Sequence, residues 1–213
     1  TIIAKLRAAG AIFLGKTNMD EYAPASIARS ALGGQTCNPY DTKRVPGGSS
    51  AGSGAAVAAN LAMCALGTDT CGSVRFPSTA NALVGMVATQ GLVSRAGIIP
   101  LSFSRDRGGP MCRSVQDTAA VLEVIAGADS RDHVTAPAHG KKSVPYRQYA
   151  NKKSLAGKRL GVVREFMIEA TLADRDSIRI ANQAIADMKR LGATVVDPVN
   201  FAGVNAEIKA SYG

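Results

Sequence analysis

A run of glycine, serine and alanine residues, Gly47–Gly54, leads directly into the alanine-rich segment Ala55–Ala65. Side chains this small allow the backbone to adopt conformations that a Cβ atom would exclude and to pass close to its neighbours. The alanine-rich segment is small and apolar on nearly every side, which predicts a helix that is buried on all faces. The two segments together predict a tight loop that presents hydroxyls and backbone N–H groups at a helix N-terminus, where an anion or an oxyanion can be held.

The composition is that of a globular protein. Of 213 residues, 46% are hydrophobic and 19% are charged, which fits neither a disordered chain nor a charged coiled coil. The longest apolar stretches, such as 55–66, are interrupted by Asn60 and are much shorter than the roughly 20 residues of a membrane span. The chain begins at Thr1 with no initiator methionine and no signal-peptide pattern. We therefore expect no membrane span and a natural N-terminus that lies upstream.

The four cysteines, Cys37, Cys64, Cys71 and Cys112, contain no CxxC pair, and neither His133 nor His139 stands at metal-ligand spacing from them. This pattern argues against a zinc site, and we predict neither a metal nor a cofactor. Without a secretory segment, the cysteines are interpreted as free thiols in a reducing compartment, and the predicted location is cytoplasmic.

The hydrophobic pattern predicts alternating helices and strands, and therefore a mixed α and β class. We expect a parallel crossover unit near the C-terminus, where strand, helix and strand follow each other. The predicted elements are a helix at Ile2–Ala9, a strand at Ala11–Leu14, a short helix at Ser78–Val84, strands around a turn at Gly91–Pro100, a helix at Asp117–Ile125 ended by Gly127, a strand at Arg159–Val163, a helix at Ala173–Leu191 capped by Asp174, and a strand at Ala193–Val196.

Three segments are predicted: a core over 1–130 that carries the Gly/Ser-rich loop, a basic linker-like segment over 131–158, and a strand, helix and strand over 159–213 that belong to the same domain. The net charge of +9 is concentrated between His133 and Arg164, which contains no acidic residue. The basic residues there are Lys141, Lys142, Arg147, Lys152, Lys153, Lys158, Arg159 and Arg164. Because only Tyr146 and Tyr149 supply aromatic interleaving, we favour a solvated loop over a nucleic-acid interface.

A second loop, Gly67–Pro77, places Ser73 beside a turn of small residues, with Asp69 and Arg75 positioned to pair across it. The first loop is not a Walker phosphate loop, because Gly54 is followed by Ala55 rather than by lysine.

The segment Gly48–Gly52 matches the G-x-S-x-G nucleophile elbow and leaves open an esterase of the α/β-hydrolase type that uses Ser50. Asp106 or Asp117, followed by His133 or His139, would complete the chain order of such a triad. An elbow needs a hydrophobic strand in front of it, however, and the polar, proline-containing residues 38–46 do not predict one. This interpretation therefore ranks below the one that follows.

Taken together, the two loops resemble the signature region of the amidase signature family of serine hydrolases. The resemblance rests on Gly47–Ser53 and on the pattern Gly67-Thr68-Asp69-Thr70-x-Gly72-Ser73-x-Arg75-x-Pro77. Further segments resemble the family in the same order, namely Leu14–Glu21, Asn38-Pro39, Gly91–Pro100 and Gly109–Asp117. The resemblance covers nearly all of 1–130, and it implies an α/β fold with a mixed, mostly parallel twisted sheet flanked by helices, here incomplete.

The resemblance implies an amidase that hydrolyses a small-molecule amide through a serine acyl-enzyme. Ser73 corresponds to the nucleophile and Ser49, 24 positions earlier, to a bridging serine with a cis peptide bond. Backbone N–H groups of Thr70, Cys71, Gly72 and Ser73 would form the oxyanion hole. The supporting residues are Ser50, Asp69, Arg75, Gly47 and Gly48.

The base of the family is a lysine that lies upstream of the first helix, and no residue of this chain corresponds to it. We therefore expect a fragment truncated at both ends with little or no activity by itself; an amidase-derived binding module that has lost catalysis is the alternative. Cys71 stands where many members have glycine, and Arg107 where threonine or glutamine is expected. Val87-Ala88 replaces an expected Lys-Pro. The identity of the amide and the oligomeric state stay open.

Overall fold

The protein is described by a computed structural model that covers residues 1–141, 144–151 and 153–200. Its helices are α1 (Ile2–Ala8), α2 (Ala51–Ala58), α3 (Arg75–Ala80), α4 (Val115–Ile125), α5 (Tyr146–Ala150) and α6 (Leu172–Arg190), with short 3-10 helices at His133–Ala138 and Arg164–Phe166. The strands are β1 (Arg29–Ser30), β2 (Gly34–Gln35), β3 (Cys64–Asp69), β4 (Val84–Gly85), β5 (Arg107–Cys112), β6 (Arg159–Gly161) and β7 (Thr194–Val196). The chain divides into two compact units, 1–151 and 152–213.

The first unit is organised around a three-stranded antiparallel sheet in the order β3-β5-β4. One face of this sheet packs on apolar side chains: a Cβ placed on Gly108 of β5 would lie 2.7 Å from Ile2 Cδ1. The buried cluster on this side consists of Ile2, Leu6, Ala88, Val93, Leu122 and Ile125. Burying such side chains is the main favourable term in folding, so this cluster anchors α1 and α4 to the sheet.

The second unit contains the predicted crossover: β6 and β7 pair in parallel, and α6 lies between them in sequence. The helix begins with a capping box, in which Thr171 Oγ1 accepts from Asp174 N–H and the Asp174 carboxylate accepts from Thr171 N–H. Asp174 therefore takes part in the cap, as predicted, but as the third helical residue rather than as the N-cap itself.

The α/β class is confirmed, while several details differ from expectation. Parallel pairing occurs in β6 and β7, whereas the larger sheet is antiparallel. The predicted helix over 55–65 begins earlier, at Ala51, and ends at Ala58, because Asn60 takes a left-handed conformation with φ 61° and the chain then enters β3. The prediction of a strand at Ala11–Leu14 is wrong, because these residues are exposed and form no strand.

The segments 78–84 and 91–100 also differ. Helix α3 begins at Arg75 and ends at Ala80, earlier than the predicted Ser78–Val84. Only an isolated bridge between Val93 and Ala126 forms in the Gly91–Pro100 segment, where strands were expected. In the described part of the chain, no helix combines the length and the apolar character that a membrane crossing requires.

The prediction of four free thiols is wrong. Cys64 and Cys112 lie directly opposite each other in the β3–β5 ladder, with their Cα atoms 4.4 Å apart, and form a disulfide. The partners are separated by 48 positions, so only the register of the sheet reveals the pair. Cys37 and Cys71 are free and exposed.

Candidate active site

The loop that carries Ser73, the nucleophile loop Asp69–Arg75, connects the end of β3 to the start of α3. Asp69 is 1% exposed, and its carboxylate accepts from Gly72 N–H at 2.8 Å and from Val74 N–H at 3.2 Å. These two hydrogen bonds lie on either side of Ser73, which is itself 9% exposed. The position of Ser73 is thus fixed by a buried carboxylate rather than by the loop alone.

Arg75 completes this arrangement, and the predicted pairing with Asp69 is confirmed. Its Nε donates to Asp69 Oδ2 at 3.1 Å and its Nη2 to Oδ1 at 3.0 Å, the bidentate geometry that suits a guanidinium and a carboxylate. Burial by itself would raise the pKa of Asp69, but the hydrogen bonds from Arg75, Val74 and Gly72 outweigh it, so that this pKa lies below its usual range. Asp69 is therefore held as an anion that organises the loop.

The Gly/Ser loop, Gly47–Gly54, lies against the nucleophile loop. Ser50 N–H donates to the Ser73 carbonyl at 3.3 Å, which joins the two loops directly. Gly47 has φ +73°, and a Cβ there would lie 2.8 Å from the carbonyl carbon of Phe76. A Cβ on Gly48 would collide with Asp20 Oδ2 and would lie 2.8 Å from Ser26 Cα. Both positions therefore require glycine.

The hydroxyl of Ser50 already has a structural role. Its Oγ accepts from Thr68 N–H at 3.2 Å, and Ser50 is the N-cap residue of α2. No strand occurs within residues 36–50, all of which the structure describes, so the nucleophile elbow lacks the strand that it requires. The esterase alternative based on Ser50 is therefore wrong.

Ser49 differs from its neighbour. The peptide bond between Gly48 and Ser49 is cis. Ser49 is fully buried, its carbonyl accepts from Asp20 N–H at 3.2 Å, and its Oγ has no hydrogen-bond partner among the described residues. Buried hydroxyls are normally paired, so an unpaired one beside the nucleophile loop is available for chemistry.

Asp20 is the residue of this site to which sequence reasoning gave no role. It is 2% exposed, and its Oδ1 accepts from Arg29 N–H at 3.2 Å, whereas its Oδ2 is buried without a partner within the described ranges. Nothing in the local sequence distinguishes Asp20 from a surface acid, because the loop that covers it, Gly47–Ser49, lies nearly 30 positions later.

Only some of the backbone N–H groups proposed for the oxyanion hole are free to bind a substrate oxygen. Gly72 N–H is directed at Asp69 and is not available to a substrate oxygen. The N–H groups of Thr70, Cys71 and Ser73 make no hydrogen bond with any residue that the structure describes. Thr70 Oγ1 donates to Asp106 Oδ1 at 2.5 Å, a contact that fixes the turn from the other side and that the sequence did not reveal.

The lysines nearest to the expected family segments do not reach this site. Lys5 Nζ donates to the carbonyls of Ile125 at 3.2 Å and Ala126 at 2.8 Å, at the C-terminal end of α4. Burial lowers the pKa of Lys5, and the negative charge of Asp129 partly opposes this effect. Lys16 is exposed. Lys5 therefore caps a helix, and no lysine of the described residues hydrogen-bonds Ser49.

Comparison with protein families places this geometry in context. A family model described as Amidase matches residues 1–212. Among curated relatives, a subunit of the glutamyl-tRNA(Gln) amidotransferase of Symbiobacterium thermophilum is 46% identical over 198 residues, which cover 92% of this chain and 39% of the relative. The chain thus spans well under half the length of this relative.

Solved structures of amide-hydrolysing enzymes also match this chain over part of their length. The peptide amidase of Stenotrophomonas maltophilia superimposes with a TM-score of 0.86 at 43% identity, covering 98% of this chain and 43% of the other. The 6-aminohexanoate cyclic dimer hydrolase superimposes with a TM-score of 0.82 at 35% identity, over 92% of this chain and 40% of the other. These two enzymes share one fold with this chain over the matched region and differ in the substrates that their names state.

Proposed function

The chain belongs to the amidase family, and on that premise we propose that it carries the nucleophilic part of a serine amidase, with Ser73 as nucleophile and Ser49 as proton relay. The observation that carries this proposal is the state of Ser49: its hydroxyl is buried and unpaired, and the next residue is hydrogen-bonded to Ser73. A hydroxyl is a weak nucleophile at neutral pH and needs an adjacent group to take its proton. The Ser49 hydroxyl, which has no other partner among the described residues, is our candidate for this role.

In the proposed reaction, Ser73 Oγ attacks the amide carbonyl carbon while its proton passes to Ser49 Oγ, and the proton of Ser49 passes to a neutral lysine amine. The carbonyl oxygen becomes an oxyanion in the tetrahedral intermediate. The departing nitrogen takes a proton back along the same relay as the C–N bond breaks, which releases ammonia or an amine. Water then attacks the acyl-enzyme and releases the acid, and the substrate is a small-molecule amide.

The oxyanion would be stabilised by the N–H groups of Thr70, Cys71 and Ser73, which are free of other partners among the described residues. The Gly72 N–H group is not part of the proposed oxyanion hole, because it donates to the Asp69 carboxylate. Asp69 and Arg75 hold the loop in shape and transfer no proton. Donors fixed in advance in this way favour the charge that develops in the transition state.

We place the lysine outside the described residues, none of which hydrogen-bonds Ser49 Oγ. The chain by itself is then expected to hydrolyse amides very slowly, while a longer form that supplies the lysine is expected to be active.

The test is labelling with a fluorophosphonate probe and turnover of small aliphatic and aromatic amides, measured on this chain and on a form extended at the N-terminus. The longer form should be labelled on Ser73, and Ser73→Ala and Ser49→Ala should abolish turnover, whereas Ser104→Ala on an exposed loop should not. Labelling elsewhere would remove Ser73 from its role. Rapid Ser73-dependent turnover by the shorter chain would contradict an external base, and amide binding without labelling or turnover in the longer form would favour the binding-module alternative.

A further inference from the structure

Arg107, at the start of β5, is a charged residue that the proposed mechanism does not use. In the antiparallel ladder it lies directly opposite Asp69, the residue that begins the nucleophile loop. Side chains directly opposite each other in such a ladder project from the same face of the sheet. Arg107 therefore projects from the face on which Asp69 organises Ser73.

Contacts of neighbouring residues identify this face as the catalytic one. Side chains alternate between faces along a strand, so that Gly67, Asp69, Arg107 and Gly109 share one face. A Cβ on Gly67 would lie 2.7 Å from Ser50 Oγ, and a Cβ on Gly109 would lie 3.9 Å from Val74 Cγ2. The opposite face, at Gly108, meets the apolar cluster around Ile2. The guanidinium of Arg107 is thus on the side of both serine-bearing loops.

The guanidinium has no partner on this face. Its Nε is buried without a hydrogen bond, and no ion pair joins Arg107 to any residue that the structure describes. The two nearest carboxylates along the ladder are already occupied. Asp69 accepts from Arg75, Gly72 and Val74, and Asp106 accepts from Thr70 Oγ1 and from the N–H groups of Leu101 and Ser102. A half-buried cation without a counter-ion is costly unless an anion binds it.

We infer that Arg107 is a specificity-determining residue that binds a carboxylate carried by the amide substrate. The planar fork of a guanidinium matches a carboxylate in bidentate geometry, whereas a neutral amide offers it only a single weaker acceptor. The family resemblance leads one to expect threonine or glutamine at this position, and neither of those would carry the charge. The inference rests on the proposed function, because it takes the ligand to be an amide. The substrate class is then a monoamide of a dicarboxylic acid.

The test compares the binding of succinamate, which carries one amide and one carboxylate, with that of its neutral counterpart succinamide. Binding to this chain is measured by NMR titration, which needs no turnover. The native chain should bind succinamate at least about tenfold more tightly than succinamide. Arg107→Gln should bring this ratio close to one, and Arg107→Lys should leave an intermediate ratio, because it keeps the charge but loses the fork.

Arg105→Gln is the matched control, since Arg105 is exposed in the same segment and its loss changes the net charge equally. The ratio should be unchanged in this variant, and the melting temperatures of all variants show that each is folded. Equal binding of the two ligands by the native chain, or an unchanged ratio in Arg107→Gln, would overturn the inference. Arg107-dependent preference for succinamate with no Ser73-dependent turnover in the extended form would instead overturn the proposed function and leave the anion site standing.

Discussion

The two loops of the candidate site touch each other but are held in different ways. The nucleophile loop is fixed by hydrogen bonds, because Asp69 accepts from three backbone N–H groups and from the side chain of Arg75. The Gly/Ser loop is fixed by close packing of its glycines against Asp20 and Phe76, and it leaves Ser49 Oγ and Asp20 Oδ2 unpaired among the described residues. The packing of the Gly/Ser loop leaves the Ser49 hydroxyl free for the proposed proton transfer, whereas the hydrogen bonds of the nucleophile loop occupy the Asp69 carboxylate and leave the N–H groups of Thr70, Cys71 and Ser73 free among the described residues.

The largest expected effect on stability comes from filling the packed loop. Gly47→Ala introduces a Cβ 2.8 Å from the backbone of Phe76 at a residue with φ +73°. Neither the backbone atom nor the left-handed conformation can adjust cheaply, so we expect a loss of about 3–5 kcal/mol in the free energy of unfolding, measured by urea denaturation. Gly34→Ala is the control, since Gly34 has φ +65° with no atom within 4 Å of a Cβ; it should lose only about 1 kcal/mol. Equal losses would show that conformation alone, and not packing, shapes the loop.

Asp69→Asn attacks the loop that depends on hydrogen bonds. The change removes the negative charge from a buried acceptor with several donors, so we expect a loss of about 2–3 kcal/mol in the free energy of unfolding. Asp41→Asn breaks an exposed pair with Arg44 and should cost about 0.5 kcal/mol or less. If the two variants were equally stable, the carboxylate would not be what holds the nucleophile loop.

The same carboxylate predicts a dependence of stability on pH. The pKa of Asp69 is lowered in the folded state, so its contribution is fully present above the unfolded value, about 3.9, and is lost as the pH falls below it. The difference in melting temperature between the native chain and Asp69→Asn should therefore be large at about pH 6 and shrink towards about pH 3. A difference that stayed constant over this range would exclude the charge of Asp69 as the source of the stabilisation.

Much of the fold could be predicted from local patterns, because these determine local structure. Helix α4 has a strong periodicity and the N-cap Ser114, whose hydroxyl accepts from Asp117 N–H, and it was predicted within two residues at its start. The parallel pair β6 and β7 followed from the order of elements. The antiparallel register of β3 and β5, and with it the Cys64–Cys112 disulfide, could not be predicted, because it depends on residues 48 positions apart.

The site shows the same division. The pairing of Asp69 with Arg75 was predictable because the two residues stand six positions apart around one turn. The loss of Gly72 N–H from the oxyanion hole was not, since a sequence does not state which of several N–H groups a carboxylate will accept. The unpaired oxygen of Asp20 could not be predicted for another reason: it is buried by a loop that is distant in sequence.

Ser50→Ala is expected to have a moderate effect. The Ser50 hydroxyl accepts from Thr68 N–H at 3.2 Å, and its removal takes away the partner of that half-buried donor. We expect a loss of about 1–2 kcal/mol in the free energy of unfolding. Unchanged stability would show that water or another acceptor replaces the hydroxyl, and that Ser50 does not fix the end of β3.

Ser49→Ala should have the smallest effect on stability although it lies one position away. Its Oγ is buried without a partner among the described residues, so that replacing the hydroxyl removes an unpaired polar group and should change the free energy of unfolding by no more than about 0.5 kcal/mol. In the extended form, the same variant should lose Ser73-dependent turnover, because it removes the hydroxyl proposed to relay the proton of Ser73. The pair Ser49→Ala and Ser50→Ala thus separates the two roles in one experiment: the first should lose turnover and keep stability, while the second should lose stability. A destabilised Ser49→Ala would mean that the Ser49 hydroxyl is hydrogen-bonded within the fold and is not free to relay a proton.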